Sequence, residues 1–295
     1  MPIRQGSVAR AAVADGTSTL FTQPTIPKTP RSEWVKTSYG KTKLSHGRKI
    51  EEDYFRLLDD KNIILVGPAA YLQGSGMGAE IDSYDLIVRL NLACPVPDHQ
   101  YADIGSRTDV LYHTLFRDRH MKERPDLFQP HTQQDVMDWI EKDGLQWVVI
   151  KPRHETRHAQ KFAHAINGIM PWCTISAYHH RQIKAFYKTS PNMGSIAIWH
   201  ILKSKCKSLY VTGCDFHTTG YFVGYGGFTE EMAAKGARDG AAMKSTWGQT
   251  IEPRELTNFH FVPHQLESLS RLVQRDHRLM FDDVLMDLVR GYIRR

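Results

Sequence analysis

The chain has 295 residues, a net charge of +6 and a pI near 9.0, with 41% hydrophobic and 24% charged residues. Those values fit a globular protein with one large α/β domain or two small ones, and they exclude a disordered or fibrous chain. The charge suits an anionic ligand, but the basic residues are scattered rather than clustered, so nucleic acid is not an expected partner.

No apolar stretch approaches the roughly 18 residues of a membrane span, and no signal-peptide core is visible. The expectation is a soluble, cytoplasmic protein without a membrane span. Cysteines stand at 94, 173, 206 and 214, without a CxxC pair or a zinc spacing; buried reduced thiols are the simplest reading.

In chain order, residues 1–55 are expected to form a poorly ordered basic arm, with prolines at 24, 27 and 30 against a long helix. Residues 56–295 are expected to form the folded domain. Within it, the predicted strands are 63–67, 85–90, 109–112, 146–150, 172–175, 208–212 and 259–262. The predicted helices are 132–143, 155–168, 178–187, 193–204, 229–243, 264–275 and one within 281–293. This alternation argues for an α/β fold with a single Rossmann-like, mostly parallel sheet covered by helices. Ligands in such folds sit beyond the carboxyl ends of the strands. Gly67, Asn91, Gly213, Cys214 and Asp215 fall there, and His264 follows the last predicted strand.

The stretch GSGMGAEIDSYDLIVRLN (74–91) resembles a nucleotide loop, yet its glycines fall at 74, 76 and 78. That spacing is neither the dinucleotide fingerprint nor a phosphate loop, and Asn91 stands where a dinucleotide fold has an acid. The second informative stretch, SPNMGSIAIWHIL (190–202), opens a helix. Its free N–H groups suit an anion, while Asn192 is equally a good N-cap and Gly194 a turn residue.

Together the two stretches resemble the sialyltransferases of glycosyltransferase family 29. The family's large sialylmotif matches LVGPAAYLQGSGMGAEIDSYDLIVRLNLACP, with Gly67, Leu72, Gly78, Glu80, Ile81, Asp82, Asp85, Arg89 and Asn91 in register. The small motif is similar to Pro191-Asn192-Met193-Gly194 running on through Cys206 to Gly213-Cys214-Asp215. His264 with Glu267 is similar to the very short motif, and His217 with Tyr221-Phe222 to the short third one. The chain departs from the pattern at Pro68, where the family has Asn, and at Asn192 and Met193, where it has hydroxyl residues.

The resemblance implies a GT-A-like sialyltransferase variant. Its donor would be CMP-sialic acid or a related CMP-linked keto-sugar such as CMP-Kdo, its acceptor a glycan, with no metal or other cofactor. The donor-binding candidates are Gly67, Pro68, Asn91, Asn192, Met193, Gly194, Gly213, Cys214 and Asp215. His264 is the candidate general base, and Tyr221 or His217 would donate to the leaving phosphate. Glu80, Asp82 and Asp85 are read as architectural, with Asp82 capping a turn and Arg89 pairing with Asp85 or Asp109.

Two rival readings stand beside this one. His154-Glu155-Thr156-Arg157-His158 is an HExxH motif, and His164 could complete a zinc metallohydrolase site. Against it, the segment is polar nearly all round and Lys161 stands where the extended motif has glycine. The other rival is a nucleotide-binding module without catalysis.

Overall fold

The computed structural model describes residues 33–37, 40–44, 48–114, 133–151, 169–216, 218–225 and 261–293. Strands β1 (Glu33–Thr37) and β2 (Gly40–Leu44) pair antiparallel as a separate two-stranded ribbon. Helix α1 (Arg48–Leu58) follows. The packed unit therefore begins before residue 56, because Tyr54 and Leu58 of α1 are buried in the main core.

A run such as Ile63-Ile64-Leu65-Val66 is apolar at every position, which suits a strand covered on both faces. It forms β3 (Asn62–Val66), and β4 (Leu86–Leu90), β5 (Val110–His113), β6 (Trp147–Ile150), β7 (Trp172–Thr174) and β8 (Ser208–Thr212) are likewise largely buried. With β9 (Leu279–Phe281) they build a seven-stranded sheet in the order β7-β6-β5-β4-β3-β8-β9. Every neighbouring pair is parallel. The fold is α/β and Rossmann-like.

Successive strand residues point to opposite faces. Ile63, Leu65, Val88 and Val211 enter one cluster with α1, α5 (Ala177–Tyr187), α6 (Met193–Ile201), α7 (Val262–Arg275) and α8 (Asp283–Arg290). Ile64, Val66 and Ile87 enter a second, against the short helices α2 (Gly78–Asp82) and α3 (Tyr101–Ile104) and the segment reaching Tyr225. Helix α4 (Gln133–Asp143) covers the β5–β7 side of the sheet through Val136.

The predicted strand 259–262 is corrected where it is described. Phe261 is the N-cap of α7 and Val262 opens that helix, with Pro263 in its first turn, a position that suits proline's fixed φ. Residues 259 and 260 lie outside the described residues. The last strand of the sheet is β9, and α8 starts after it, capped by the Asp282 carboxylate on Leu285 N–H at 2.8 Å. Predicted helices 155–168 and 229–243 lie outside the described residues, as do His154, Glu155, His158, His164 and His217. No helix among the described residues is long and apolar enough to cross a membrane.

Candidate active site at the switch point of the sheet

The chain runs outward from β3 through β4, β5, β6 and β7, then returns to place β8 on the other side of β3. The direction of strand order therefore reverses between β3 and β8, the position beyond whose carboxyl ends α/β folds bind their ligands. Gly67 follows β3 and Gly213 follows β8. A Cβ on Gly67 would lie 2.1 Å from the Gly213 carbonyl oxygen, and one on Gly213 would lie 2.4 Å from that of Gly67. Gly213 also has φ +70°, a conformation that glycine adopts without strain. The two glycines let the strand ends approach each other, a tighter demand than approach to a ligand.

The same crossing is fastened from the far end of the chain. The Asp282 carboxylate accepts from Thr212 Oγ1 at 2.7 Å and from the Tyr71 hydroxyl, and Gly213 N–H donates to Tyr71 Oη at 2.6 Å. Burial first, and then Asp282, push the Tyr71 phenol far above its ordinary range, so it stays protonated.

The glycines of the opening motif have a different occupation. Gly74 and Gly76 both adopt positive φ. Their N–H groups donate to the Asp103 carboxylate at 2.7 and 3.0 Å. An aspartate of this chain thus satisfies the two N–H groups. Gly78 is needed elsewhere, since a Cβ there would meet the Tyr101 carbonyl at 1.9 Å.

Residues 218–225 lie across the loop after β3. Ala70 N–H donates to Gly220 O, Phe222 N–H donates to Pro68 O, both at 3.0 Å, and Ala69 bridges Tyr221. Tyr221 is half-buried, its ring 4.7 Å from that of Tyr225. Burial raises the Tyr221 phenol well above its usual range and the Tyr225 phenol to about 12. Asp215 shapes the turn that leads there, accepting from Thr218 Oγ1 at 3.0 Å and from Thr219 N–H and Oγ1 at 2.6 Å.

At the end of β4, Asn91 has φ +52°, a left-handed geometry that asparagine tolerates better than most residues. Its Oδ1 accepts from Thr114 N–H at 3.0 Å, and its side chain also bonds Tyr225. Asn192 caps α6, accepting from Ser195 N–H at 2.9 Å, and Met193 is buried. The cap and the open first turn are therefore both present. A Cβ on Gly194 would come within 3.6 Å of Cys214 Sγ and Leu90 Cδ1, so this turn faces the ends of β4 and β8. Cys214 is half-buried, and loss of solvation pushes its thiol far up, which leaves it a neutral contact.

His264 enters through α7. Its ring is 4.5 Å from Phe261, edge to face, and its Nδ1 is buried with no hydrogen-bond partner among the described residues. The adjoining Gln265 is fully buried, and its Oε1 accepts from Asn192 N–H at 3.0 Å and from Ser195 Oγ at 2.8 Å. One amide thus joins the starts of α6 and α7. Gln265→Leu is expected to orphan these donors and cost about 1–3 kcal/mol in urea denaturation.

The structure thus gathers Gly67, Pro68, Asn91, Gly194, Gly213, Cys214 and Tyr221 at one edge, with Asn192, Met193 and His264 on the adjoining helix starts. Asp215 stands beneath the loop as a turn former. Sequence reasoning missed Tyr71, Tyr225, Gln265 and Asp282. A capping aspartate before an apolar helix was the only signal available for Asp282.

Two of the three acids of the large motif, Asp82 and Asp85, hold backbone groups. Asp82 accepts from Ser106 N–H at 2.9 Å, and Asp85 from Asn62 N–H at 2.8 Å. The expected pairing of Arg89 with Asp85 or Asp109 is replaced by another. Arg89, fully buried, donates to the Ile104 and Arg107 carbonyls at 2.6 and 3.0 Å, while Arg107 pairs with Asp109 at 2.9 Å. Burial pulls the Arg89 guanidinium down to about 10, still charged at neutral pH. All four cysteines are free; Cys94 and Cys206 sit in different clusters.

Residues 32–163 match the model of glycosyltransferase family 29 (sialyltransferase), so over that span the chain is sialyltransferase-like. The span holds the large motif and ends before α6 and α7. No curated protein sequence matches the chain. Solved structures similar to it include a mammalian sialyltransferase in complex with Gal-beta-1-3GalNAc-ortho-nitrophenol, at 13% identity over 77% of this chain and 71% of that chain, TM-score 0.41. Another is the sialyltransferase CstII from Campylobacter jejuni in complex with a substrate analogue, CMP-3FNeuAc, at 11% identity over 75% and 81%, TM-score 0.44.

Proposed function

We propose that this chain, sialyltransferase-like over residues 32–163, transfers sialic acid or a related keto-sugar such as Kdo from a CMP-linked donor to a glycan hydroxyl. The observation that carries this reading is that the start of α6, at Gly194, faces Leu90 of the matched large motif and Cys214, which also borders Gly67 at the switch point. The first N–H groups of a helix have no intrahelical acceptor and sit at its positive end. Asn192 occupies that of Ser195, and the turn at Met193 and Gly194 is the place for the donor's phosphate.

In an inverting transfer the acceptor oxygen bonds the anomeric carbon while the carbon–oxygen bond to phosphate breaks on the opposite side. CMP leaves with the bonding pair, and the acceptor's proton passes to His264. Tyr221, held neutral by burial, retains a proton to offer the departing phosphate. Amides and hydroxyls thus meet the developing charge by preorganisation. Pro68 has no N–H and gives its carbonyl to Phe222, so base recognition here rests on other groups.

The test is CMP release and sugar transfer from CMP-Neu5Ac and CMP-Kdo across a glycan panel, with product anomeric configuration read by NMR. Turnover of either donor with inversion is expected. CMP binding with no release of CMP from either donor would favour the non-catalytic module, and absence of CMP binding would remove the reading.

A further inference from the structure

Beyond the donor site, the face of the sheet covered by helices holds a buried cluster of ligating side chains that the transfer reaction does not use. Glu51 of α1, His179 of α5 and His200 of α6 converge there, and their ligand atoms all lie within 4.8 Å of one another. Glu51 is 1% exposed and His200 0%, with His179 at 15% on the outer side. His200 is near the end of α6, eight residues after Asn192, which at the α-helical rise separates the cluster from the helix start by about 12 Å.

The protein contacts leave part of this cluster unsatisfied. Glu51 Oε1 accepts from Ser176 N–H at 2.9 Å and lies 2.8 Å from His200 Nε2. Glu51 Oε2 lies 2.8 Å from His179 Nδ1, yet off the direction of a hydrogen bond, and neither atom has a hydrogen-bond partner among the described residues. Burying a carboxylate oxygen without a partner is costly. A cation between the two atoms removes that cost, because both present lone pairs to it.

We propose that Glu51, His179 and His200 form a structural zinc site that ties α1, α5 and α6 together. One carboxylate and two imidazoles are a donor set that zinc takes readily, with water completing the tetrahedron on the more open His179 side. The surroundings fit the outer shell of such a site. His200 Nδ1 is 2.8 Å from the Tyr112 hydroxyl, which is 2.9 Å from that of Tyr54. With Nε2 on the metal, Nδ1 carries the proton and donates to Tyr112, fixing the tautomer and the ring plane. Phe55 closes the wall against both histidines, with ring centroids 4.9 Å from His200 and 5.6 Å from His179.

The experiment titrates Zn²⁺, and Co²⁺ as a spectroscopic stand-in, into the full chain after chelator treatment. Variants His179→Gln, Tyr112→Phe and His158→Ala are compared after circular dichroism confirms their fold. The expected result is one equivalent bound with a rise in Tm, and tetrahedral Co²⁺ absorption. His179→Gln, which keeps a donor for Glu51 but loses the ligand, should lose the equivalent. Tyr112→Phe should weaken binding by about 10- to 100-fold. No stoichiometric binding, or an equivalent lost with His158→Ala and kept with His179→Gln, overturns the proposal. If His179→Gln does not fold, the Tyr112→Phe titration decides, and unchanged affinity there overturns it.

Discussion

Replacing His264 by Ala is expected to lower kcat for sugar transfer by about 10² to 10⁴, the usual worth of a positioned general base. The ring is half-buried at the start of α7 and packs edge-on to Phe261. Its loss should therefore cost only about 0.5–1.5 kcal/mol of stability beyond its buried area, the range of an aromatic pair. Gln265, the next residue, keeps its bonds to Asn192 and Ser195, so CMP affinity by calorimetry should stay near that of wild type. A kcat drop with intact CMP binding separates a role in proton transfer from one in donor binding. Unchanged kcat would take His264 out of the reaction.

The largest expected effect on stability is at Gly67. A methyl there would stand 2.1 Å from the Gly213 carbonyl oxygen and 2.6 Å from Cys214 Sγ. Backbone oxygen cannot swing aside as a side chain can, so β3 or β8 must shift, in a sheet where Leu65 and Val211 are fully buried. Gly67→Ala is expected to cost more than about 4 kcal/mol, the exceptional range for a single substitution. Gly194→Ala is the control. Its nearest contacts are at 3.5 Å or beyond, and alanine is the better helix former by roughly 1 kcal/mol. That variant should match or exceed wild-type stability while crowding the turn offered to phosphate. Urea denaturation of both, with CMP titration of Gly194→Ala, measures the contrast. Equal stability of the two variants would contradict the close crossing of the strand ends.

Much of the fold is legible in the sequence because most strand positions are apolar, as burial on both faces requires, with Arg89, His113 and Thr212 as buried polar exceptions. That signal fails for β9, whose apolar run Leu279–Phe281 is only three residues long and does not stand out from a helix or loop segment. It also misleads at Phe261 and Val262, which read as the end of a strand while Pro263 marks the first turn of α7. Helix α1 was hidden by the basic, polar composition around it, although Tyr54 and Leu58 enter the core. The site divides along the same line. Asn91, Gly194 and Gly213 could be found because their types and places at strand or helix ends carry meaning by themselves. Gln265, Tyr71 and Asp282 act through partners far along the chain, and no local pattern marks a residue for a contact made across the fold.

The strand order has a consequence for how the chain comes into being. Asn62 of β3 and Ser208 of β8 are hydrogen-bonded neighbours 146 residues apart. During synthesis β4 to β7 can assemble on one side of β3 while its other side waits for β8. For that interval the middle of the future sheet is an open edge of apolar residues, the kind that invites pairing with another chain. Since Gly213, Gln265 and Asp282 all arrive later still, the nascent protein has an edge open to its neighbours before its switch point is assembled. Truncation after β7 should therefore yield a chain that aggregates rather than a smaller working domain.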